Sequence, residues 1–191
     1  YMQLKQDADG HDLDPADPDN WTVPTPIYRN DASLLNGNKQ LAATASGGVG
    51  MSLDMTYFQD ADGRSYYAWQ QLGATYIATM DPKDPAHVTS SPVRIVTPEY
   101  AWNAAIAEGP NVTLRDGKLY LMFSGSGVGK TYTTGLAVAD ASGTDLTDPA
   151  SWTVLNYPIQ KSGPFNGEMQ LGTGHGMWSE DEDGNQIYVF H

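Results

Sequence analysis

A β-propeller is the fold class that this sequence predicts, and three observations predict it. The first is a repeat in which Asp-Gly precedes an aromatic-rich, strand-like run: Asp62-Gly63 before Arg64–Trp69, Asp116-Gly117 before Lys118–Phe123, and Asp183-Gly184 before Asn185–Phe190. The second repeat runs out of phase with it. Each copy begins with Asp-Pro (Asp17-Pro18, Asp84-Pro85, Asp148-Pro149) and carries a proline before its last strand residues, as in Trp21–Ile27, His87–Ile95 and Trp152–Ile159. The third is composition: 20 glycines and 12 prolines beside 11 tyrosines and 5 tryptophans suit many short strands joined by tight turns.

Interleaving the two repeats gives a four-stranded unit every ~55–65 residues, the kind of spacing that marks a repeat fold. In chain order, residues 1–6 and 21–28 read as the last two strands of one unit. A complete unit follows, with strands at 54–58, 64–71, 75–80 and 92–96, and a second at 110–115, 118–124, 132–139 and 152–159. Residues 173–179 and 186–191 then read as the first two strands of a further unit. Asp-Gly before the second strand of each unit predicts a primed hairpin turn, because both residues tolerate positive φ. Proline in the fourth strand predicts a sheet edge, since it donates nothing to a ladder. A β-sandwich would not demand two interleaved repeats. Residues 29–53, with Asn36-Gly37-Asn38 and Ser46–Gly50, read as a long flexible loop between blades, and residues 104–108 as a single helical turn. The chain opens on Tyr1 inside a strand-like run, so it is read as a partial propeller domain of two full blades and parts of two others, too little to close a ring.

Charge and length narrow the function. A net charge of −13 opposes binding to nucleic acid or to an anionic membrane surface and suits a neutral partner. No apolar run approaches the roughly 20 residues of a membrane span, no signal-peptide pattern is present, and without cysteine there is no disulfide framework.

The innermost strand of each propeller blade lines a central channel, and two such strands begin with acids. Asp54 lies in Ser52–Phe58, and Glu108 in Ala107-Glu108-Gly109-Pro110. A carboxylate among apolar residues on an inner strand is costly unless paired or useful. Placed at equivalent positions in adjacent blades, the two come within reach of one another. Their repulsion would keep one protonated near neutral pH, the condition for the general acid of glycosidic cleavage. The third inner strand begins Gly172-Thr173-Gly174-His175-Gly176, and His175 is read as holding water or a cation in the channel. Trp102, and Trp69 behind it, are the candidates for stacking on a sugar ring, with core packing the competing reading for both.

Other motifs read as structural. Asp7, Asp9, Asp12, Asp14, Asp17 and Asp19 lack the register and closing Glu of a calcium loop, and Glu180–Asp183 form a turn. Gly125–Thr131 is superficially like a phosphate loop, but a strand follows it where that motif needs a helix, so it links two strands.

The series Ser52–Phe58, Glu108-Gly109-Pro110, Tyr120–Ser126, Tyr132 with Gly135-Leu136-Ala137, Leu146–Trp152 and Gly172–His175 closely resembles glycoside hydrolase family 43, in order and spacing, across roughly residues 50–191. It looks most like the α-L-arabinofuranosidases of that family. The resemblance implies a five-bladed propeller, cleavage with inversion, and an arabinose- or xylose-containing oligo- or polysaccharide as substrate. It implies Glu108 as general acid, Asp54 as the carboxylate that tunes and orients it, and His175 near the axis where relatives often hold a calcium ion or water; the chemistry itself requires no cofactor. The family's general base is an Asp of the first blade, which no segment here matches, so the 191 residues alone are expected to be inactive. Ala107 stands where related sequences often have a polar residue. A β-xylosidase and a non-catalytic sugar-binding propeller are the competing functions.

Overall fold

The computed structural model describes residues 1–35 and 52–191. Most of the loop expected between blades lies outside the described residues.

Two sheets dominate. The first blade runs β1 (Leu53–Gln59), β2 (Ser65–Gln71) and β3 (Ala74–Asp81), with β4 (Asp84–Val88) and β5 (Val93–Val96) both pairing antiparallel to β3. The second has β6 (Glu108–Arg115), β7 (Lys118–Gly125), β8 (Thr133–Asp140) and a two-residue β9 (Thr153–Val154) in simple up-and-down order. Beyond it come a hairpin, β10 (Gly163–Phe165) with β11 (Glu168–Gln170), and the pair β12 (Met177–Glu180) with β13 (Gln186–Val189). These are the blades of a propeller. The inner strands β1, β6 and β12 lie side by side, β1 against β6 and β6 against β12.

The outer strands depart from expectation. In place of one strand at 92–96, the first blade's edge is split in two by Ser90-Ser91-Pro92. In the second blade the expected 152–159 strand shrinks to two residues. Beyond Val154 the chain still bonds to β8 through Leu155 N–H to Leu136 O (2.9 Å) and Ile159 N–H to Thr134 O (2.8 Å), but Pro158 breaks the ladder. Residues 1–6 and 21–28 pair through Lys5 N–H to Asn20 O and Thr22 N–H to Gln3 O (both 2.8 Å) without building a regular strand. The turn expected at 104–108 is a three-residue 3-10 helix at 101–103, and Glu108 is already in β6. The β10–β11 hairpin went unpredicted although Asn166-Gly167, both at positive φ, is the usual primed-turn pair.

Each Asp-Gly does close a β-hairpin, but by two routes. Asp116-Gly117, both left-handed, form the tight two-residue turn. In the other two, an acid two residues upstream caps a longer turn. Asp60 Oδ1 accepts from the Asp62 and Arg64 amides (3.0 and 2.9 Å), and Asp181 Oδ1 accepts from those of Asp183 and Asn185 (3.0 and 2.8 Å).

β2 is buried on both faces, and its period-2 alternation feeds two cores. Tyr66 and Ala68 join Phe58 and Ile77 against Leu119, Leu121, Phe123 and Trp152 of the second blade. Tyr67 and Trp69 face the opposite way, onto Leu35, Met80 and Val88, with Ile27 alongside.

Candidate active site

The inner strands β1 and β6 each open with a kink, and the kinks position the site. In β1, Leu53 lies opposite Gln70 and Thr56 opposite Ala68, so Asp54 and Met55 together face a single residue. In β6, Glu108 lies opposite Ser124 and Asn111 opposite Met122, so Gly109 and Pro110 do the same. These are β-bulges. Their shared register matches Asp54 with Gly109, both at φ 57, and matches Glu108 with Leu53. The expectation that Asp54 and Glu108 occupy equivalent positions is therefore corrected by one residue. His175, at φ 47, continues the pattern on the third inner segment. A non-glycine residue costs on the order of 1–3 kcal/mol in this region, a strain that collects at functional sites.

The kinks draw the polar groups into one chain of contacts. Asp54 Oδ2 accepts the Gly109 N–H (3.2 Å), and Asp54 Oδ1 faces His175 Nε2 at 3.8 Å. His175 Nδ1 lies 3.2 Å from the Tyr132 hydroxyl, which donates to Glu108 Oε1 at 2.7 Å. The His175 amide is held by Ser124 Oγ (2.6 Å). Burial first, and then the bond to Glu108, push the Tyr132 phenol well above its ordinary range, so it remains a protonated donor. Asp54 and His175 line a cavity of about 350 Å³ along the channel, with Thr56, Gly109, Asn111 and Met177 among its walls.

Glycines make room for this cluster. A Cβ on Gly109 would press to 3.3 Å from the His175 ring, and one on Gly174 would overlap the Tyr132 ring. Glu-Gly-Pro thus carries glycine where β6 closes on the His175 imidazole, and Gly-His-Gly carries it where the third inner segment closes on the Tyr132 and Tyr188 rings.

The structure brings Glu108, Asp54 and His175 together but not the two tryptophans. Trp69 is fully buried, with its Nε1–H on Gln71 Oε1 (3.3 Å) and its ring stacked on Tyr76, so it has no free face for a sugar. The pleat explains this correction: Trp69 points into the core beside Leu35. Trp102 is half-buried, stacked with Tyr100 and Phe123 and pinned by Nε1–H to Asn156 O (3.1 Å). It lines a separate cavity of about 330 Å³ with Ser126, Lys130, Thr133 and Lys161. That cavity opens where β7 ends and β8 begins, the end of the sheet that also carries Glu108.

Sequence reasoning passed over Tyr132 and Ser124 as working residues. Nothing local separates Tyr132 from ten other tyrosines; its one signal is its place just before β8, at the end of the blade where β6 begins. His175, the residue expected to hold water or a cation, faces the Tyr132 phenol (3.2 Å) and the Asp54 carboxylate (3.8 Å) with its imidazole. Among the described residues, the group of three such side chains close enough to share an ion is Asp7, Asp9 and His11 on an exposed turn. There Asp7 Oδ1 is already taken by the Asp9 and His11 amides.

Propellers host many chemistries, and comparison with known proteins picks out a carbohydrate-cleaving class. The family model for glycosyl hydrolases family 43 matches residues 38–191. An extracellular exo-α-(1→5)-L-arabinofuranosidase of Streptomyces chartreusis is 33% identical over 152 residues, 73% of this chain and 44% of the relative. The crystal structure of an α-L-arabinofuranosidase from Lactobacillus brevis superposes with a TM-score of 0.69 at 26% identity, covering 98% of this chain and 57% of that one. That of an endo-1,4-β-xylanase from Bacteroides thetaiotaomicron gives 0.61 at 26% identity, covering 73% and 48%. The chain belongs to glycosyl hydrolases family 43. It spans less than half the length of the Streptomyces chartreusis relative.

Proposed function

We propose that the protein is an inverting exo-glycosidase that removes non-reducing-end α-L-arabinofuranosyl residues from plant cell-wall oligo- and polysaccharides. The observation that carries this is Glu108, held through Oε1 by a buried phenol at the channel, with Asp54 reaching the next amide on the same strand. In this reading Glu108 protonates the glycosidic oxygen as the C–O bond breaks, and Asp54 fixes the Glu108-Gly109 segment and its field. A second carboxylate, supplied from outside these 191 residues, deprotonates the attacking water on the opposite face of the ring. Inverting sites hold acid and base roughly 6.5–9.5 Å apart to leave room for that water.

The exo-arabinofuranosidase name of a relative at 33% identity supports the substrate. A neighbour that cuts xylan supports the second reading, a β-xylosidase.

The test is hydrolysis of aryl α-L-arabinofuranoside and aryl β-D-xyloside by these residues within a complete propeller. Arabinoside turnover is expected, with E108A lowering kcat by roughly 10²-fold or more. The 191 residues alone are expected to release no sugar. Wild-type turnover by E108A would overturn the acid assignment, and sugar binding without turnover would favour a non-catalytic propeller.

A further inference from the structure

Tyr132 belongs to neither the acid pair nor the base, yet it is the residue that touches Glu108. We infer that Tyr132 is a positioning residue that fixes which oxygen of Glu108 presents the catalytic proton. The inference rests on the reading of Glu108 as general acid. The geometry behind it is specific. The phenol is 1% exposed, and its hydroxyl donates to Glu108 Oε1 at 2.7 Å. An oxygen that accepts this bond is not where the acidic hydrogen sits, so the protonated acid carries its hydrogen on Oε2. That hydrogen passes to the glycosidic oxygen while the C–O bond breaks and its electron pair goes to the departing oxygen. Glu108 is left as a carboxylate, and the same Tyr132 O–H, now charge-assisted, stabilises it.

Neighbours hold Tyr132 in place from three sides. Its backbone N–H bonds Gly129 O (3.0 Å), its carbonyl accepts from Thr173 N–H (3.0 Å), and its ring lies flush on Gly174. His175 Nδ1 at 3.2 Å completes the hydroxyl's surroundings. The tyrosine is thus fastened to the segment that carries His175 as well as to the turn before β8.

General-acid assistance matters for a poor leaving group and little for one that departs unaided, and this difference separates positioning from mere support. In the complete propeller, Y132F is expected to lower kcat/KM on an arabino-oligosaccharide by roughly 10–10²-fold. On 2,4-dinitrophenyl arabinofuranoside it is expected to stay within about threefold of wild type. Equal losses on both substrates, or none on either, would overturn the inference. E108Q run in parallel must show the same selectivity; if it does not, the acid assignment itself has failed, whatever Y132F does. Should Y132F not fold, 3-fluorotyrosine at position 132 keeps the packing and changes the donor strength. A shifted ratio of the two rates is then expected, and an unchanged ratio overturns the inference.

Discussion

A left-handed backbone at Asp54 and His175 is expensive for a side chain, and both residues hold it while their side chains meet across two inner strands. The glycines beside them carry the complementary burden. Gly174→Ala drives a methyl group into the buried Tyr132 ring, so it is expected to cost about 1–3 kcal/mol in a denaturant melt. Because the displaced ring carries the Glu108 partner, turnover falls with it. Removing the Asp54 side chain takes away the acceptor of the Gly109 N–H, the amide next to Glu108. D54A is therefore expected to lower kcat by roughly 10-fold or more, read in the aryl arabinoside assay. Both effects concern contacts between residues far apart in sequence, Gly174 with Tyr132 and, 55 positions apart, Gly109 with Asp54. No local pattern announces them.

Elements repeat with variations that the side chains explain. Asp17 and Asp148 each cap a 3-10 turn ending at a tryptophan, and the indole N–H of each bonds a carbonyl six residues back, Pro15 O at 3.0 Å and Leu146 O at 2.9 Å. The third Asp-Pro copy has Val88 where the others have tryptophan, and it forms the strand β4 instead. The β1–β2 turn is built around Asp60, whose buried carboxylate accepts from two amides, from Arg64 Nε (2.6 Å) and from the buried Tyr66 hydroxyl (3.1 Å). D60A leaves the buried Tyr66 hydroxyl and two turn amides without their acceptor, and the expected loss is about 2 kcal/mol by denaturant melt. These repeats were legible before the structure because turn and strand chemistry is local. The split outer strand was not, since pairing with β3 is decided by what the edge can reach once Pro92 interrupts it.

At the scale of the molecule, the blades are joined by apolar surface and by hydrogen bonds across the seam. Phe58, Tyr66 and Ile77 pack against Leu121, Phe123 and Trp152, while Arg64 Nη2 reaches Thr144 O (2.7 Å) and Ala107 N–H reaches Gly73 O (2.8 Å). Tyr66 lies in this seam, and burial, followed by the Asp60 charge, pushes its phenol from 10.0 up to about 12. The sign follows from linkage: below pH 10 the phenol is neutral in folded and unfolded chain alike, and its contribution is fully present. As pH rises from 10 toward 12 the unfolded chain ionises first, and on the order of 2 kcal/mol is lost. An alkaline denaturation series is expected to show that loss, and Y66F is expected to shrink it while the share of the other buried phenols, Tyr132 among them, stays.

Local sequence was enough for the blades, their order, the edge character of the proline-bearing strands, and the presence of Glu108 and Asp54 at the mouths of inner strands. Those follow from turn chemistry, proline's missing donor and period-2 patterning, all readable within a few residues. It took the packed chain to show that Asp54 aligns with Gly109, that Trp69 faces the core and Trp102 a cavity of its own, and that Tyr132 holds Glu108. A bulge changes which face every later residue of a strand presents, and contacts between blades depend on where those faces meet.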